Sequence, residues 1–219
     1  MVNFKFRSEK STEPKKDIQQ IHEYWKNPSE NNLPEKYSNP KGGIIRSKML
    51  VRLIRENTDI TNTSSIMELG CNVGRNLNLL MEEDFQNIHG LEINKKAIEQ
   101  MQEIYPKLRT HATITINSLE NAIKEYPKNH FDLVFTMAVL EHIHKDSEWV
   151  FTEIKRITKK YLITIEDEKT ISDRHFPRNY VDVFERLDMK QIFCYDCNEM
   201  PNWKGKFQAR IFKKNDSNL

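Results

Sequence analysis

Two glycines follow a short apolar run in this sequence of 219 residues. The run covers residues 65–69 and is typical of a buried strand, and Gly70 and Gly74 stand between it and a helical pattern. Glycine at a strand-to-helix turn lets a ligand approach the backbone closely, and open α/β sheets bind ligands outside the carboxyl ends of their strands. Residues 70–74, called the glycine turn below, are therefore predicted to bind a ligand.

An acidic residue lies at the end of the next predicted strand. Glu92 follows the glycine turn by about 20 residues, the separation at which dinucleotide-binding folds place a ribose-binding carboxylate. Its two oxygens can accept hydrogen bonds from both hydroxyls of a ribose. Taken singly, the glycines could be turn formers and Glu92 a charge at a helix N-terminus. Together, and in this order, they predict a nucleoside ligand.

The residues around the glycine turn favour a cationic cofactor over a pyrophosphate. Nicotinamide and flavin sites carry the pattern G-x-G-x-x-G at a helix N-terminus, whereas Asn72 stands here at the position of the middle glycine. Glu68, shortly before the turn, repels a phosphate and attracts a positive charge. A sulfonium cofactor that also carries an ammonium group fits this arrangement better than a dinucleotide does.

Strand and helix patterns alternate after the glycine turn, which is typical of a parallel sheet with helices on both faces. The last two strands are joined by a turn-rich segment without a long helix, so we expect them to pair antiparallel. The predicted fold is α/β: a Rossmann-like, doubly wound, seven-stranded and mostly parallel sheet with an antiparallel C-terminal hairpin and an N-terminal helical lid. The predicted strands are 65–69, 88–93, 112–116, 131–136, 161–165, 190–195 and 207–212, and the predicted helices are 75–83, 95–105, 119–124, 147–158 and 179–187.

The N-terminal part differs in composition from the rest. Residues 1–14 are charged and without periodicity, which predicts a mobile arm. Ile18, Ile21 and Trp25 share one helical face, and the following segment, 27–43, is rich in Asn, Pro, Ser and Gly and is predicted to be a loop. A stronger helix is predicted from Ile45. We therefore divide the chain into an arm with a helical lid, residues 1–44, and an α/β domain, residues 45–219.

Composition narrows the class of protein. The 34 basic and 32 acidic residues leave a net charge of +2, which argues against a dedicated nucleic-acid binder. No apolar run approaches the roughly 18 residues of a membrane span, and the N-terminus lacks the apolar segment of a secretion signal. Three cysteines, of which Cys194 and Cys197 form a C-x-x-C pair, fit a reducing compartment. We expect a soluble, cytoplasmic protein that does not bind membranes.

Three segments, in order along the chain, resemble motifs of a known superfamily. Residues 65–76 resemble motif I of the class I S-adenosylmethionine-dependent methyltransferases, and residues 88–93 resemble their motif II. Residues 131–143, FDLVFTMAVLEHI, are similar to the motif IV region of the small-molecule members. The resemblance extends over residues 45–212. It implies S-adenosylmethionine as the cofactor and an enzyme that transfers the methyl group by in-line displacement.

The resemblance also implies a set of cofactor contacts, which we transfer by position. These are Glu68, Gly70, Cys71 and Gly74 for the methionine moiety, Glu92 for the ribose, Ile93, Asn117, Ser118 and Leu119 for the adenine, and the backbone of Met137. The side chain of Asn72, which departs from the commonest glycine pattern, could also reach the cofactor. The superfamily often has aspartate at position 117 or 118, and this sequence does not. Arg46, before motif I, is either a partner for the cofactor carboxylate or a surface arginine.

His142 follows the fourth strand and is the candidate catalytic residue, because an imidazole titrates near neutral pH. It would either act as a general base toward the acceptor or only orient the loop or the substrate. The spacing His142-x-His144-x-Asp146 could suggest a metal. The fourth strand ends in Thr136-Met137, however, without the carboxylate of the metal-dependent catechol methyltransferases, so we expect no metal.

Segments outside the predicted sheet would bind the acceptor. The lid could close over the crevice, and the loop after the fifth strand would lie at the same edge. The candidate substrate residues are Tyr24, Trp25 and Tyr37 of the lid and Glu166 and His175 of that loop. The Asn/Asp-Pro-Pro-Tyr run of nucleic-acid members is absent after the fourth strand, so a small-molecule acceptor methylated on O or N is the first hypothesis. The alternatives are a protein or RNA acceptor, a non-catalytic cofactor-binding scaffold and a dinucleotide-dependent oxidoreductase.

Overall fold

The computed structural model of the protein describes residues 15–37 and 40–215. The predicted arm, residues 1–14, lies outside this part of the chain. A sheet of seven strands forms its centre, in the order β3-β2-β1-β4-β5-β7-β6. The strands are β1 (Ser65–Leu69), β2 (Asn87–Glu92), β3 (Ala112–Ile116), β4 (Phe131–Met137), β5 (Thr158–Asp167), β6 (Met189–Asp196) and β7 (Phe207–Lys214).

The pairing of the strands confirms the predicted doubly wound sheet. β1 to β5 pair in parallel with their neighbours, whereas β7 runs antiparallel to both β5 and β6. The chain proceeds outward from β1 through β2 to β3, and then returns to the other side of β1 to form β4. The strand order therefore reverses between β1 and β4, and ligands of open α/β sheets bind at such a switch point.

Helices cover both faces of the sheet. They are α1 (Ile18–Lys26), α2 (Pro34–Tyr37), α3 (Pro40–Asn57), α4 (Arg75–Glu82), α5 (Lys95–Ile104), α6 (Leu108–His111), α7 (Leu119–Ala122), α8 (Trp149–Ile157) and α9 (Tyr180–Glu185). Side chains of α3, α4, α5 and α6 pack on one face, and those of α7, α8 and α9 pack on the other. No helix within the described ranges has the length and apolar content needed to cross a membrane.

Neighbouring residues of a central strand enter opposite cores. Leu133 and Phe135 of β4 pack with α3 and α4, whereas Val134 between them packs with α8. All three side chains are fully buried. Because helices cover both faces of this parallel sheet, its inner strands are apolar along their length rather than alternating.

Helices stand where the sequence predicted a loop. α2 and the first residues of α3 fall within residues 27–43, and a short 3-10 turn, Glu30–Asn32, precedes them. Proline is tolerated in the first turn of a helix, so α3 begins at Pro40, before the predicted start at Ile45. Gly43 lies inside this helix, where a Cβ would meet Arg75 Nη1 at 2.7 Å. The glycine therefore serves close packing and does not end the helix.

β5 is longer than the sequence predicted. Glu166 and Asp167, expected in the loop after this strand, belong to it because they pair with Gln208 and Phe207 of β7. The parallel pairing of β5 with β4 ends at Ile165. Antiparallel pairing with β7 thus extends β5 by two residues beyond its pairing with β4. The residues of β5 alone do not predict this extension, because it depends on a distant strand.

Candidate active site

A cavity of about 360 Å³ lies at the carboxyl ends of β1, β2 and β4, at the predicted switch point. This volume is within the range of about 300–1,000 Å³ usual for small-molecule sites. Gly70, Glu92 and Met137, which end or follow these three strands, line its base. Side chains of α1 and α2, among them Trp25 and Tyr37, also line it. The helical lid therefore covers the crevice.

The glycine turn needs glycine at its first position. Gly70 has a φ of +75°, and a Cβ there would meet Val139 Cγ2 at 2.5 Å. Its N–H donates to Leu91 O at 2.7 Å, and the next N–H, of Cys71, donates to the same oxygen at 3.0 Å. The turn is thus held against both β2 and the loop after β4.

Gly74 does not line the cavity, although the resemblance implied a cofactor contact. It caps α4 with a φ of +73°, and a Cβ there would meet Met101 Sδ at 2.6 Å and Leu108 Cδ2 at 2.8 Å. These side chains belong to α5 and α6. The second glycine of the turn therefore serves the packing of three helices.

Glu68 carries a buried oxygen without a partner. Its side chain lines the cavity and is only 2% exposed. Oε1 accepts a hydrogen bond from Asn76 Nδ2 at 2.7 Å, while Oε2 has no hydrogen-bond partner in the described part of the chain. Burial raises the pKa of Glu68 to about 8. Because buried polar atoms are normally paired, this oxygen fits a cationic donor from a ligand.

Both oxygens of Glu92 are already held by the backbone. Oε1 accepts from Asn94 N and Oε2 accepts from Asn72 N, each at 2.8 Å. Burial raises the pKa of Glu92, while these hydrogen bonds act in the opposite direction. A carboxylate offers about four lone-pair sites, so each oxygen retains one for a ribose hydroxyl. Asn72, with a φ of +46°, thus links the glycine turn to the ribose-binding position.

The predicted adenine contacts lie along one side of the cavity, lined by Ile93, Asn117, Ser118 and Leu119. Two of the polar side chains have local partners. Asn117 Oδ1 accepts from Ser118 N at 2.8 Å, and Ser118 Oγ accepts from Asn121 N at 3.3 Å and caps α7. These side chains shape the loop, and their remaining hydrogen-bonding capacity faces the cavity.

Two arginines line the cavity, of which sequence reasoning named one. The guanidinium of Arg46 lies 4.3 Å from the centre of the Trp203 ring and donates to Pro201 O at 2.6 Å, but its buried Nε has no partner in the described ranges. Arg75 Nε donates to Ser47 Oγ at 3.1 Å. Arg75 is the first residue of α4, directly behind the glycine turn, and this position was the signal that could have revealed it.

His142 lies in a short 3-10 turn, Leu140–His142, that follows β4. Its Nδ1 is 3.0 Å from Arg174 O. Since a carbonyl oxygen only accepts, Nδ1 carries the hydrogen and Nε2 has a free lone pair. Burial and the neighbouring His175 lower the pKa of His142 to about 3. A general base works best with a pKa near the operating pH, so this geometry favours the orienting role over the base role.

Glu141 and His175 lie beside His142 and line the same cavity. The distance from Glu141 Oε1 to His142 Nε2 is 3.7 Å, and that to His175 Nε2 is 3.9 Å. The other oxygen, Oε2, accepts from Asp167 N at 2.5 Å. One carboxylate oxygen of Glu141 and one imidazole nitrogen of each histidine lie within 4.8 Å of one another. Sequence reasoning missed Glu141, because only tertiary structure brings His175 to it.

Glu166 does not line the cavity and is fully buried. Its Oε2 accepts from the N–H groups of Val139 and Leu140, both at 2.9 Å. The side chain thus fixes the loop after β4 from inside the protein. The substrate contact predicted for Glu166 assumed an exposed loop after the fifth strand, and the length of β5 removes that premise.

The lid is fastened at several points. The ring of Trp25 lies 4.5 Å from that of His142, and His22 Nε2 is 2.9 Å from Glu120 Oε2 of α7. Lys16 pairs with Asp173 in the loop that carries His175. Tyr24 does not line the cavity. Its ring instead stacks under the guanidinium of Arg174 at 4.1 Å.

Fold and site together define an α/β protein with a cavity at the switch point of its sheet, and the lining of this cavity fits a nucleoside cofactor. A family profile described as "Methyltransferase domain" matches residues 67–163. This match covers less than half of the chain. Together with the three sequence motifs, it supports a methyltransferase of the class I S-adenosylmethionine-dependent type, with S-adenosylmethionine as the cofactor. A comparison with curated proteins finds no match.

Solved structures share the fold at low sequence identity. Magnesium protoporphyrin IX methyltransferase (ChlM) from Synechocystis PCC 6803, with bound S-adenosylhomocysteine, matches at a TM-score of 0.72 and 12% identity, over 89% of this chain and 98% of that chain. A SAM-dependent methyltransferase from Archaeoglobus fulgidus gives 0.59 and 15%, over 77% and 94%. The [4+2]-cyclase SpnF gives 0.64 and 11%, over 76% and 80%. These similarities show the fold alone.

Proposed function

We propose that the protein transfers the methyl group of S-adenosylmethionine to an oxygen or nitrogen atom of a small-molecule acceptor. The covered cavity is the observation that carries the proposal. α1 and α2 lie over the crevice, and Trp25 and Tyr37 line it from this side. A protein or RNA acceptor needs an open surface groove, usually with basic walls for RNA, whereas a cavity that two helices cover fits a small molecule beside the cofactor.

The cofactor half of the cavity fits the methionine and ribose groups. Glu68 Oε2 would accept a hydrogen bond from the ammonium group, and the free lone pairs of Glu92 would accept the ribose hydroxyls. Arg46 and Arg75 supply positive charge for the carboxylate. When bound, the cofactor supplies an electrophilic methyl group on a sulfonium.

The acceptor half contributes position and exclusion of water. Val139, His142 and Trp25 line it, and fixed walls hold a nucleophile close to the methyl carbon. Methyl transfer requires no covalent step on the protein. The chain therefore needs to orient the acceptor and, for a hydroxyl, to accommodate loss of its proton.

The test is transfer of labelled methyl groups in an extract that contains small molecules, protein and RNA. After incubation with the purified enzyme, the three fractions are separated and counted. We expect label in the small-molecule fraction, and none from the Glu92→Ala variant at limiting cofactor. Label confined to protein or RNA would replace the proposed acceptor class. Binding of S-adenosylhomocysteine without any transfer would favour a non-catalytic scaffold.

A further inference from the structure

We propose that Glu141, His142 and His175 bind one divalent first-row transition-metal ion in the acceptor half of the cavity. The three side chains come from two loops, after β4 and after β5, and meet at the cavity wall. Two imidazole nitrogens and one carboxylate oxygen form a ligand set typical of such ions. No metal was expected from the sequence, and the spacing considered there shares only His142 with this cluster.

The separations between the ligand atoms suit a shared ion. Glu141 Oε1 lies 3.7 Å from His142 Nε2 and 3.9 Å from His175 Nε2. Ligands about 2.1 Å from a common metal stand about 3.0–3.5 Å apart. The two distances from Glu141 need to shorten by less than about 1 Å, and the two histidine nitrogens, which lie within 4.8 Å of each other, by less than about 2 Å. Side-chain rotation can supply such shifts.

The imidazole rings are held from behind, as metal ligands usually are. His142 donates through Nδ1 to Arg174 O, so its Nε2 lone pair is directed toward Glu141. His175 Nδ1 is 2.6 Å from Ser172 Oγ, which leaves its Nε2 for the same point. Lys15 Nζ donates to His175 O at 2.9 Å and fastens the loop to the lid segment.

His144, the other histidine of the local spacing, faces elsewhere. Its Nδ1 accepts from Asp146 N at 3.1 Å and caps a short turn, Lys145–Ser147. The ring packs 5.0 Å from Phe176. The proposed site therefore depends on the fold, which brings His175 to the adjacent residues Glu141 and His142.

Because the metal site lies in the acceptor half of the cavity, we expect an acceptor that binds the metal through an oxygen atom. This expectation rests on the proposed function. Three protein ligands leave coordination positions open, as in catalytic metal sites. A metal lowers the pKa of a hydroxyl bound to it. The hydroxyl proton would pass to the solvent as the acceptor binds the metal, before water is excluded, and the oxygen would then form its bond to the methyl carbon as the methyl–sulfur bond breaks. The electron pair of that bond stays on sulfur, which leaves S-adenosylhomocysteine.

The experiment uses Co²⁺ as the probe, on full-length protein freed of metal by chelation and of any histidine tag by cleavage. Titration calorimetry and visible absorption measure binding. We expect one Co²⁺ per chain with a d–d absorption band, and at least about tenfold weaker binding for His142→Ala, His175→Ala and Glu141→Gln. His130→Ala is the matched control, because this exposed histidine precedes β4 at the opposite edge of the sheet.

His175→Ala is the decisive variant, since its loop lies at the rim and loses only one side-chain hydrogen bond. Unchanged S-adenosylhomocysteine affinity shows that each variant is folded. Equal Co²⁺ binding by wild type and His175→Ala, or no binding by wild type, overturns the proposal. Co²⁺ binding without methyl transfer supports the metal site while the proposed function fails. Full methyl transfer by metal-free enzyme supports the function and overturns the role of the metal.

Discussion

Cofactor binding should release a proton from Glu68, and the affinity should therefore rise with pH. Burial raises the pKa of Glu68 to about 8 in the free protein. At this pKa, about 1% of molecules carry the carboxylate at pH 6 and about 9% at pH 7. If the cofactor ammonium binds the ionised form, the Kd of S-adenosylhomocysteine should fall about ninefold over this interval, or about 1.3 kcal/mol.

Calorimetry in two buffers with different ionisation enthalpies tests this expectation directly. At pH 7, binding should release about 0.9 proton to the buffer. The ligand itself changes little in this range, since an α-amino group titrates at about 7.7–8.0. Glu68→Gln is the control, because the amide retains an oxygen for Asn76 but has no proton to lose. Its affinity should be low and independent of pH.

The stability of the free protein supplies a second measurement with a defined sign. A carboxyl whose folded pKa is raised from 4.5 to about 8 loses stabilising free energy as pH rises through that window. Between pH 5 and pH 7, the unfolding free energy of the wild type should fall by about 2–3 kcal/mol relative to Glu68→Gln. A pH-independent Kd for the wild type refutes the reasoning. The same slope in both proteins assigns the proton to another group, with Glu92 the first candidate.

Three further substitutions test the site. Gly70→Ala should lower S-adenosylhomocysteine affinity more than tenfold and lower the Tm, because φ is +75° and a Cβ would lie 2.5 Å from Val139; an unchanged affinity in calorimetry would contradict the assigned turn. Glu92→Ala should weaken binding at least about tenfold by loss of charge-assisted hydrogen bonds, and an equal Kd would remove it from the ribose site. Glu166→Ala should cost about 3 kcal/mol of unfolding free energy, measured in urea, because three loop N–H groups lose their acceptor. A change below about 0.5 kcal/mol would show that the loop keeps its structure without Glu166.

The sequence was sufficient to predict the sheet and most of the residues that line the proposed cofactor half of the cavity. The apolar run of β1, the glycine turn and Glu92 are close in sequence, and their chain order fixes their spatial order in a doubly wound sheet. The role of Gly74, which does not line the cavity, could not be predicted in this way. Both glycines have positive φ, but only the packing of Met101 against Gly74 separates a core-facing glycine from one that faces the ligand.

The acceptor half depends on contacts between segments that are distant in sequence. Glu166 became buried because β7 extends β5, and this pairing is not visible in the residues of β5 alone. His175 reaches Glu141 only through the course of the loop after β5. The local spacing of His142, His144 and Asp146 suggested a different set of residues, but only His142 of these three lines the cavity.

The loop after β4 contacts both halves of the cavity, and buried carboxyl groups lie on both sides of it. Val139 lies against Gly70, while Glu166 holds the N–H of Val139 and of the next residue. Burial raises the pKa values of Glu68 and Glu141, on either side of this loop. A buried carboxyl without a cation lowers the stability of the free protein, and a bound ammonium group or metal ion removes that cost. The loop keeps these acids in place before any ligand arrives, so their desolvation is already complete when a cation binds. The buried carboxyl groups therefore lower the stability of the free protein and raise its affinity for positively charged ligands.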